Sequence, residues 1–320
     1  MGTFNIQHST FNFQPVFLAG PTAVGKSEIA LQLAEQISGE IISVDSMQVY
    51  RGLDIGTAKP TRADRIRVPH HLIDICDLTE SFDAAQFARL AHRAVAEIQS
   101  RGHVPILCGG TGLYFKAFLE GLDEMPSADA KLRAELEATP LETLLAELHE
   151  RDPITYKKID KKNVRRVVRA VEVIRLTGKP VSKVQSSKFK LQGSRPQFFC
   201  LTRRPDDLRR RIDARVDQMF RRGLVDETRE LLKHGLEQNR TAMQAIGYRQ
   251  VVEHLRGERS LTETVELVKN RTRRFAKRQL TWFRAQKNLE WINLKPEESM
   301  EKSVQQIRDI IQRIDAEMNL

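Results

Sequence analysis

The chain has 320 residues, 40% of them hydrophobic, with a net charge of +10 and a pI near 9.6. That length suits two structural units, no apolar run reaches membrane-spanning length, and Met1 to Ile6 form no basic-then-apolar signal peptide. Cys76, Cys108 and Cys200 are too few and too scattered for a disulfide framework or a zinc site, so the expectation is a cytoplasmic protein with no membrane partner, whose basic balance favours a polyanionic one.

Residues 1–14 are polar and read as a loose tail. Val16 to Ala19 then reads as a buried strand and Glu28 to Ile37 as a helix. Between them, Gly20-Pro21-Thr22-Ala23-Val24-Gly25-Lys26-Ser27 fits the phosphate-loop pattern G-x-x-x-x-G-K-[ST]. In such a turn the backbone N–H groups point at phosphate oxygens, and the helix N-terminus adds partial positive charge. Lys26 is placed to reach the outer phosphate and the Ser27 hydroxyl to hold Mg²⁺. The loop predicts a bound polyphosphate or diphosphate without saying which.

A second strand, Ile41 to Val44, ends in Asp45-Ser46-Met47-Gln48. Asp45 is open to three roles there: general base, magnesium ligand, or cap of the next segment. The adjacent His70 and His71 point to opposite faces if they lie on a strand, which favours hydrogen bonding or packing over metal. After a helix over Ala84 to Gln99, a third strand, Val104 to Cys108, ends in Gly109-Gly110-Thr111-Gly112. Parallel sheets bind ligands at this edge, beyond the carboxyl ends of their strands. A nucleoside-triphosphate hydrolase usually ends such a strand in a magnesium-binding Asp; here two glycines take that place, and Leu72-Ile73-Asp74 is a poor substitute.

The layout predicts an α/β fold: a P-loop NTPase-like parallel sheet core over 15–121 and 190–320, with helices in its C-terminal part. Strand character returns at Phe198 to Thr202 and at Trp291 to Leu294. Residues 122–189 form a helical insertion, expected to bind RNA. Within it, between Lys157 and Arg175, the eight residues Lys157, Lys158, Lys161, Lys162, Arg165, Arg166, Arg169 and Arg175 stand against two acids, Asp160 and Glu172. A helix over 163–176 would put Val164, Val167, Val171 and Ile174 on one face and Arg165, Arg169 and Glu172 on another. Such a positive excess favours phosphate-backbone contact. Arg271 to Arg284 repeats the pattern: Val268, Phe275, Ala276, Leu280 and Phe283 face inward, and Arg274, Lys277, Arg278 and Arg284 face outward. Trp282 lies off the stripe and finds no place in it.

Together these motifs resemble the bacterial tRNA dimethylallyltransferases, or tRNA isopentenyltransferases, over nearly the whole chain. The matching segments are Gly20 to Ser27, Asp45 to Pro60, Val68 to Asp74, Gly109 to Tyr114, Arg169 to Val173, Thr177 to Pro180, Arg211 to Arg215, Ala245 to Tyr248 and Thr272 to Arg284. The resemblance implies transfer of a dimethylallyl group from dimethylallyl diphosphate to N6 of adenosine 37 in the tRNA anticodon loop, with Mg²⁺. Residues 20–27 would then hold the leaving diphosphate, with Ser27 assisting at its Mg²⁺. Asp45 would accept a hydrogen bond from the adenine N6 and take its proton, and Arg211 or Arg215 would stabilise the diphosphate. Thr111 would line the route of the extruded base. Contacts to the tRNA anticodon stem-loop map to Asp45, Ser46, Met47, Gln48, Arg133, Arg166, Arg169, Ala170, Val171, Glu172 and Val173, and the protein is expected to be a monomer. The family often shows Pro-Asn-Asp before its basic helix where this chain has Lys161-Lys162-Asn163, which puts the local hydrogen bonding there in doubt. The rival readings are a kinase on the same loop, a nucleotide-switched RNA-binding protein, and an isopentenyltransferase of free adenine nucleotides.

Overall fold

The computed structural model describes residues 14–121, 126, 129–183 and 197–318; the predicted tail lies outside them except for Gln14. Two compact units emerge, Met1–Phe118 with Gln192–Leu320, and Leu119–Leu191. In chain order the elements are β1 (Val16–Ala19), α1 (Lys26–Ile37), β2 (Gly39–Val44), α2 (Arg62–Arg67), β3 (His70–His71), α3 (Ala84–Ser100), β4 (Val104–Gly109) and α4 (Gly112–Glu120). The second unit holds α5 (Ala130–Ala138), α6 (Leu141–Arg151), α7 (Pro153–Lys158) and α8 (Val164–Thr177). The first resumes with β5 (Gln197–Thr202), α9 (Pro205–Arg221), α10 (Leu224–Lys233), α11 (Tyr248–Leu255), α12 (Leu261–Arg284), β6 (Glu290–Asn293) and α13 (Met300–Met318).

The strands of the first unit form one parallel sheet in the order β3-β2-β4-β1-β5-β6. Every residue of β1 is buried, as a parallel strand covered on both faces must be. Val16 and Leu18 join a cluster with Ile29 and Leu33 of α1. Phe17 points the other way, its ring 5.3 Å from Phe198 and 5.8 Å from Phe118. The register brings Ala19 level with Gly109 and Cys200, and Val44 level with Gly109. The segments that follow β1, β2, β4 and β5 therefore leave the sheet at one edge.

The His pair forms the two-residue strand β3 and is held by hydrogen bonds. His70 Nδ1 lies 2.8 Å from the Val68 carbonyl, and His71 Nε2 lies 2.6 Å from Glu40. Glu40 also accepts from Arg101 at 2.8 Å and faces His103 at 2.7 Å. Burial alone would raise its pKa, but these three partners outweigh burial and hold it at about 2.

In the second unit, Val167, Val171 and Ile174 of α8 pack with Leu136 of α5 and Leu144 and Leu148 of α6. Two expectations need correction. Val164 is exposed, because it opens the helix beside its cap: Asn163 accepts the Arg166 N–H at 3.3 Å. That bond also answers the doubt raised by the missing acid. Glu172 does not share the exposed face of Arg165. It is fully buried, because Arg133 and Arg169 both reach it as ion-pair partners.

In α12, Val268, Ala276 and Phe283 are buried, Phe275 and Leu280 are half-buried, and Arg274, Lys277, Arg278 and Arg284 are exposed. Trp282 covers the backbone at Gly112, where an added Cβ would stand 2.3 Å from its ring.

Candidate active site

The phosphate loop bridges β1 and α1 at the shared sheet edge. Gly25, at the N-terminus of α1, has φ +111°, a conformation that favours glycine. Ala23 is also left-handed, with φ 63°. No side chain caps α1, which leaves its first-turn N–H groups for an anion.

Four cations surround this loop. Lys26 is half-buried and donates from Nζ to the Pro21 carbonyl at 2.7 Å. Burial lowers its pKa to about 8; Arg215 adds to the fall, while Cys108 and Asp45 oppose it. Arg203, just after β5, donates from Nε to the Val24 carbonyl at 2.7 Å and pairs with Asp207 at 3.0 Å. Arg211 on α9 donates from Nε to the Ala23 carbonyl at 2.9 Å. One turn on, Arg215 donates to the Thr57 carbonyl at 3.4 Å. Burial lowers the pKa of both Arg211 and Arg215; Arg203 adds to the shift at Arg211, and Arg211 adds to it at Arg215. Cations so placed repel one another until an anion arrives.

Asp45 follows β2 at the same edge. Its Oδ1 accepts from the N–H groups of Met47 at 2.8 Å and Gln48 at 3.3 Å, so it caps its own turn. Its Oδ2 has no hydrogen-bond donor among the described residues, and the carboxylate feels both Lys26 and Arg215. Thr111, after β4, accepts the Ser46 N–H at 3.3 Å. Gln48 accepts from Ser43 at 2.8 Å and donates to the Thr57 carbonyl at 3.2 Å, so its amide holds the loop that also receives Arg215. Behind that loop, buried Lys59 binds Asp54 and Asp74, each at 2.5 Å. Glu227 meanwhile accepts from the Ile55 N–H at 2.9 Å and from the Tyr248 hydroxyl at 2.6 Å. Asp74 is thus a structural partner, not a stand-in for a hydrolase carboxylate.

The structure therefore gathers residues 20–27, Asp45 to Gln48, Thr111, Arg211 and Arg215 at one edge of the first unit. Arg133, Arg166, Arg169 and 170–173 belong to the second unit. There Ala170, Val171 and Val173 are buried and Glu172 is engaged by arginines, so the outward offer of α8 is its basic face. Arg175 is neutralised by Glu135 and Glu147 from neighbouring helices, which reduces the positive excess read from the sequence. Lys157, Lys158, Lys161 and Lys162 are all exposed, with Lys161 Nζ 3.8 Å from the centre of the Tyr156 ring. In the first unit, Arg271, Arg274 and Arg278 of α12 line a cleft of about 570 Å³ with Gln244 and Ile246.

Sequence reasoning missed Arg203 and Gln279. Arg203 follows a strand that ends at the site edge, the same signal that marked Asp45 and Thr111. Gln279 accepts the Thr22 N–H and donates to the Gly110 carbonyl, each at 2.9 Å. Its signal was an amide on the apolar stripe of a basic helix.

For Mg²⁺, the donor on offer is the exposed Ser27 hydroxyl in the first turn of α1. Among the described residues no group of three or more His, Cys, Asp or Glu side chains could hold a metal ion. Mg²⁺ commonly takes one or two protein ligands and completes its shell with water and substrate phosphates. The donor set fits a cation of that kind, carried by a diphosphate.

Comparison with known proteins gives the chain its relatives. The family model for IPP transferase matches residues 48–286. A tRNA dimethylallyltransferase of Trichlorobacter lovleyi is 48% identical over 280 residues, covering 86% of this chain and 92% of that protein. The crystal structure of a full-length tRNA isopentenylpyrophosphate transferase from Bacillus halodurans is 40% identical, with a TM-score of 0.70, covering 96% of this chain and 99% of its own. A eukaryotic dimethylallyltransferase, solved in crystallographic snapshots of its action on tRNA, is 28% identical with a TM-score of 0.77, covering 93% and 78%. With its phosphate loop, its ring of cations and these relatives, the chain belongs to the IPP transferase family.

Proposed function

We propose that this chain transfers the dimethylallyl group of dimethylallyl diphosphate to N6 of adenosine 37 in the tRNA anticodon loop and releases diphosphate. The carrying observation is a phosphate loop ringed by Lys26, Arg203, Arg211 and Arg215, with Asp45 the carboxylate coupled to that ring. The N6 lone pair attacks C1 of the dimethylallyl group as the C1–O bond to diphosphate breaks. The bonding electrons leave with the diphosphate oxygen, and the amine proton passes to Asp45 Oδ2. Positioning and charge stabilisation can carry most of such a reaction, because an allylic diphosphate departs readily once neutralised. Bound Mg²⁺ would neutralise part of the diphosphate charge beside Ser27.

The adenine must first leave its stack, at a cost of a few kcal/mol. Thr111 would line its route, and Asp45 to Gln48 would meet the RNA there. Phosphate contacts from Arg133, Arg166, Arg169 and the lysines of 157–162, and from the exposed arginines of α12, would offset that cost. The three cysteines are free thiols, which supports a reducing, cytoplasmic setting, and we place the protein there as a monomer. Diphosphate release from dimethylallyl diphosphate should require tRNA, and ATP should not be hydrolysed with or without it. ATP turnover independent of tRNA would move the protein to the kinase class.

A further inference from the structure

We propose that Gln279 is a positioning residue for the diphosphate loop, fixing the Thr22 peptide and the Gly110 peptide together from the middle of a basic helix. This rests on the diphosphate reading of the loop. Around Gln279, Lys277, Arg278 and Thr281 are exposed, whereas Gln279 is 8% exposed on the stripe of Ala276 and Phe283. A buried amide left unpaired is destabilising, and here both halves are paired. Oε1 accepts the Thr22 N–H and Nε2 donates to the Gly110 carbonyl, each at 2.9 Å.

The seat is close-fitting. A Cβ at Gly110 would stand 2.2 Å from Gln279 Nε2, so only glycine lets the carboxamide reach both loops at once. Three residues along α12, Trp282 closes over Gly112 in the same way. The Thr22 N–H is taken by the carboxamide and so is not left for an anion. Holding that peptide sets the course of the loop into Ala23 and Gly25, whose positive φ values form its turn. Beyond Gly110, Thr111 accepts the Ser46 N–H beside Asp45. One side chain thus spaces the loop that receives diphosphate against the loops that carry Thr111 and Asp45.

The test uses the full-length protein and inorganic pyrophosphate as probe. Gln279→Met keeps the bulk of the side chain and removes both hydrogen bonds. Its pyrophosphate Kd should rise about tenfold or more, the equivalent of about 1.4 kcal/mol, while tRNA affinity changes little. Gln279→Glu supplies a readout that helix packing would not move, and it serves if the Met variant fails to fold. A protonated carboxyl accepts from Thr22 and donates to Gly110 as the amide does, whereas a carboxylate has no proton to give the Gly110 carbonyl. Burial raises the pKa of such a carboxyl. The ratio of variant to wild-type pyrophosphate affinity should therefore climb towards one as pH falls from about 8 to about 5.5. Wild-type affinity in Gln279→Met, or a flat ratio for Gln279→Glu, would overturn the inference alone. A wild-type protein that binds no pyrophosphate would overturn the diphosphate reading and this inference with it.

Discussion

Arg203 Nε donates to the main-chain carbonyl of Val24 at 2.7 Å, so the residue that follows β5 clasps the phosphate loop that follows β1. Those strands are parallel neighbours in the sheet, and the clasp is a consequence of their running to the same edge. Arg211 does the same to Ala23 from α9. Two guanidiniums thus hold the loop by its own carbonyls.

Asp45→Ala should slow dimethylallyl transfer by roughly 10²–10⁴-fold, the usual contribution of a positioned acid–base group. Binding of tRNA should weaken far less, since phosphate contacts elsewhere carry most of the affinity. Single-turnover rates beside tRNA binding curves make the comparison. Near-normal turnover would leave Asp45 as the cap of its own turn, a role the Met47 and Gln48 N–H groups already give it.

Lys26 gives a pH dependence of definite sign. Its pKa falls from 10.5 in the unfolded chain to about 8 in the folded protein. Below about 8 it is charged and attracts diphosphate; above that it loses its proton in the free protein, so pyrophosphate affinity should weaken as pH rises through 8. Folded stability moves the other way. The cost of burying the charge is fully present below pH 8 and is relieved between 8 and 10.5. Lys26→Met should therefore be more stable than wild type at neutral pH, by about 1–2 kcal/mol after loss of the Pro21 hydrogen bond, while losing pyrophosphate binding. Thermal unfolding and calorimetry report the two effects, and a destabilised Lys26→Met would contradict the electrostatic assignment.

Much of this site could be read from residue order. A parallel sheet places its strand ends together, so Gly20 to Ser27, Asp45 and Thr111 were legible once three apolar runs were recognised. The rest depends on partners distant in sequence. Glu172 reads as one side of an amphipathic helix until Arg133, on another helix, meets it. Gln279 reads as one polar residue in a basic run until Thr22 and Gly110 appear on either side of it. The strand at His70 and His71 escaped because its two polar residues carry no apolar period; Glu40 and the Val68 carbonyl hold it instead.

Glu172→Gln should destabilise the protein by about 2 kcal/mol. Breaking a fully buried pair costs about 3–5 kcal/mol, but Arg133 and Arg169 are each about one-third exposed, which screens part of it. Burial would raise the Glu172 pKa, yet hydrogen bonds from the two arginines outweigh it and hold it below the usual 4.5. Its contribution is therefore present above about pH 4.5 and lost as pH falls below that value. The thermal midpoints of wild type and Glu172→Gln should converge in acid; a constant gap would assign the loss to packing.

Replacing Lys157, Lys158, Lys161 and Lys162 with Ala should weaken tRNA binding and flatten its salt dependence, by somewhat under one unit of slope for each phosphate no longer neutralised. Affinity for dimethylallyl diphosphate should barely change, because these lysines lie outside the phosphate loop. Wild-type affinity and slope in the quadruple variant would make them a solvated face and shift the RNA contact to Arg271, Arg274 and Arg278.

The most direct measurement is mass spectrometry of the nucleosides of tRNA incubated with the protein, Mg²⁺ and dimethylallyl diphosphate. A dimethylallyltransferase adds one C5H8 unit to adenosine, and the product should form roughly 10²–10⁴-fold more slowly when Asp45 is replaced by Ala. Unmodified tRNA under conditions where the protein binds both pyrophosphate and tRNA would contradict the assignment.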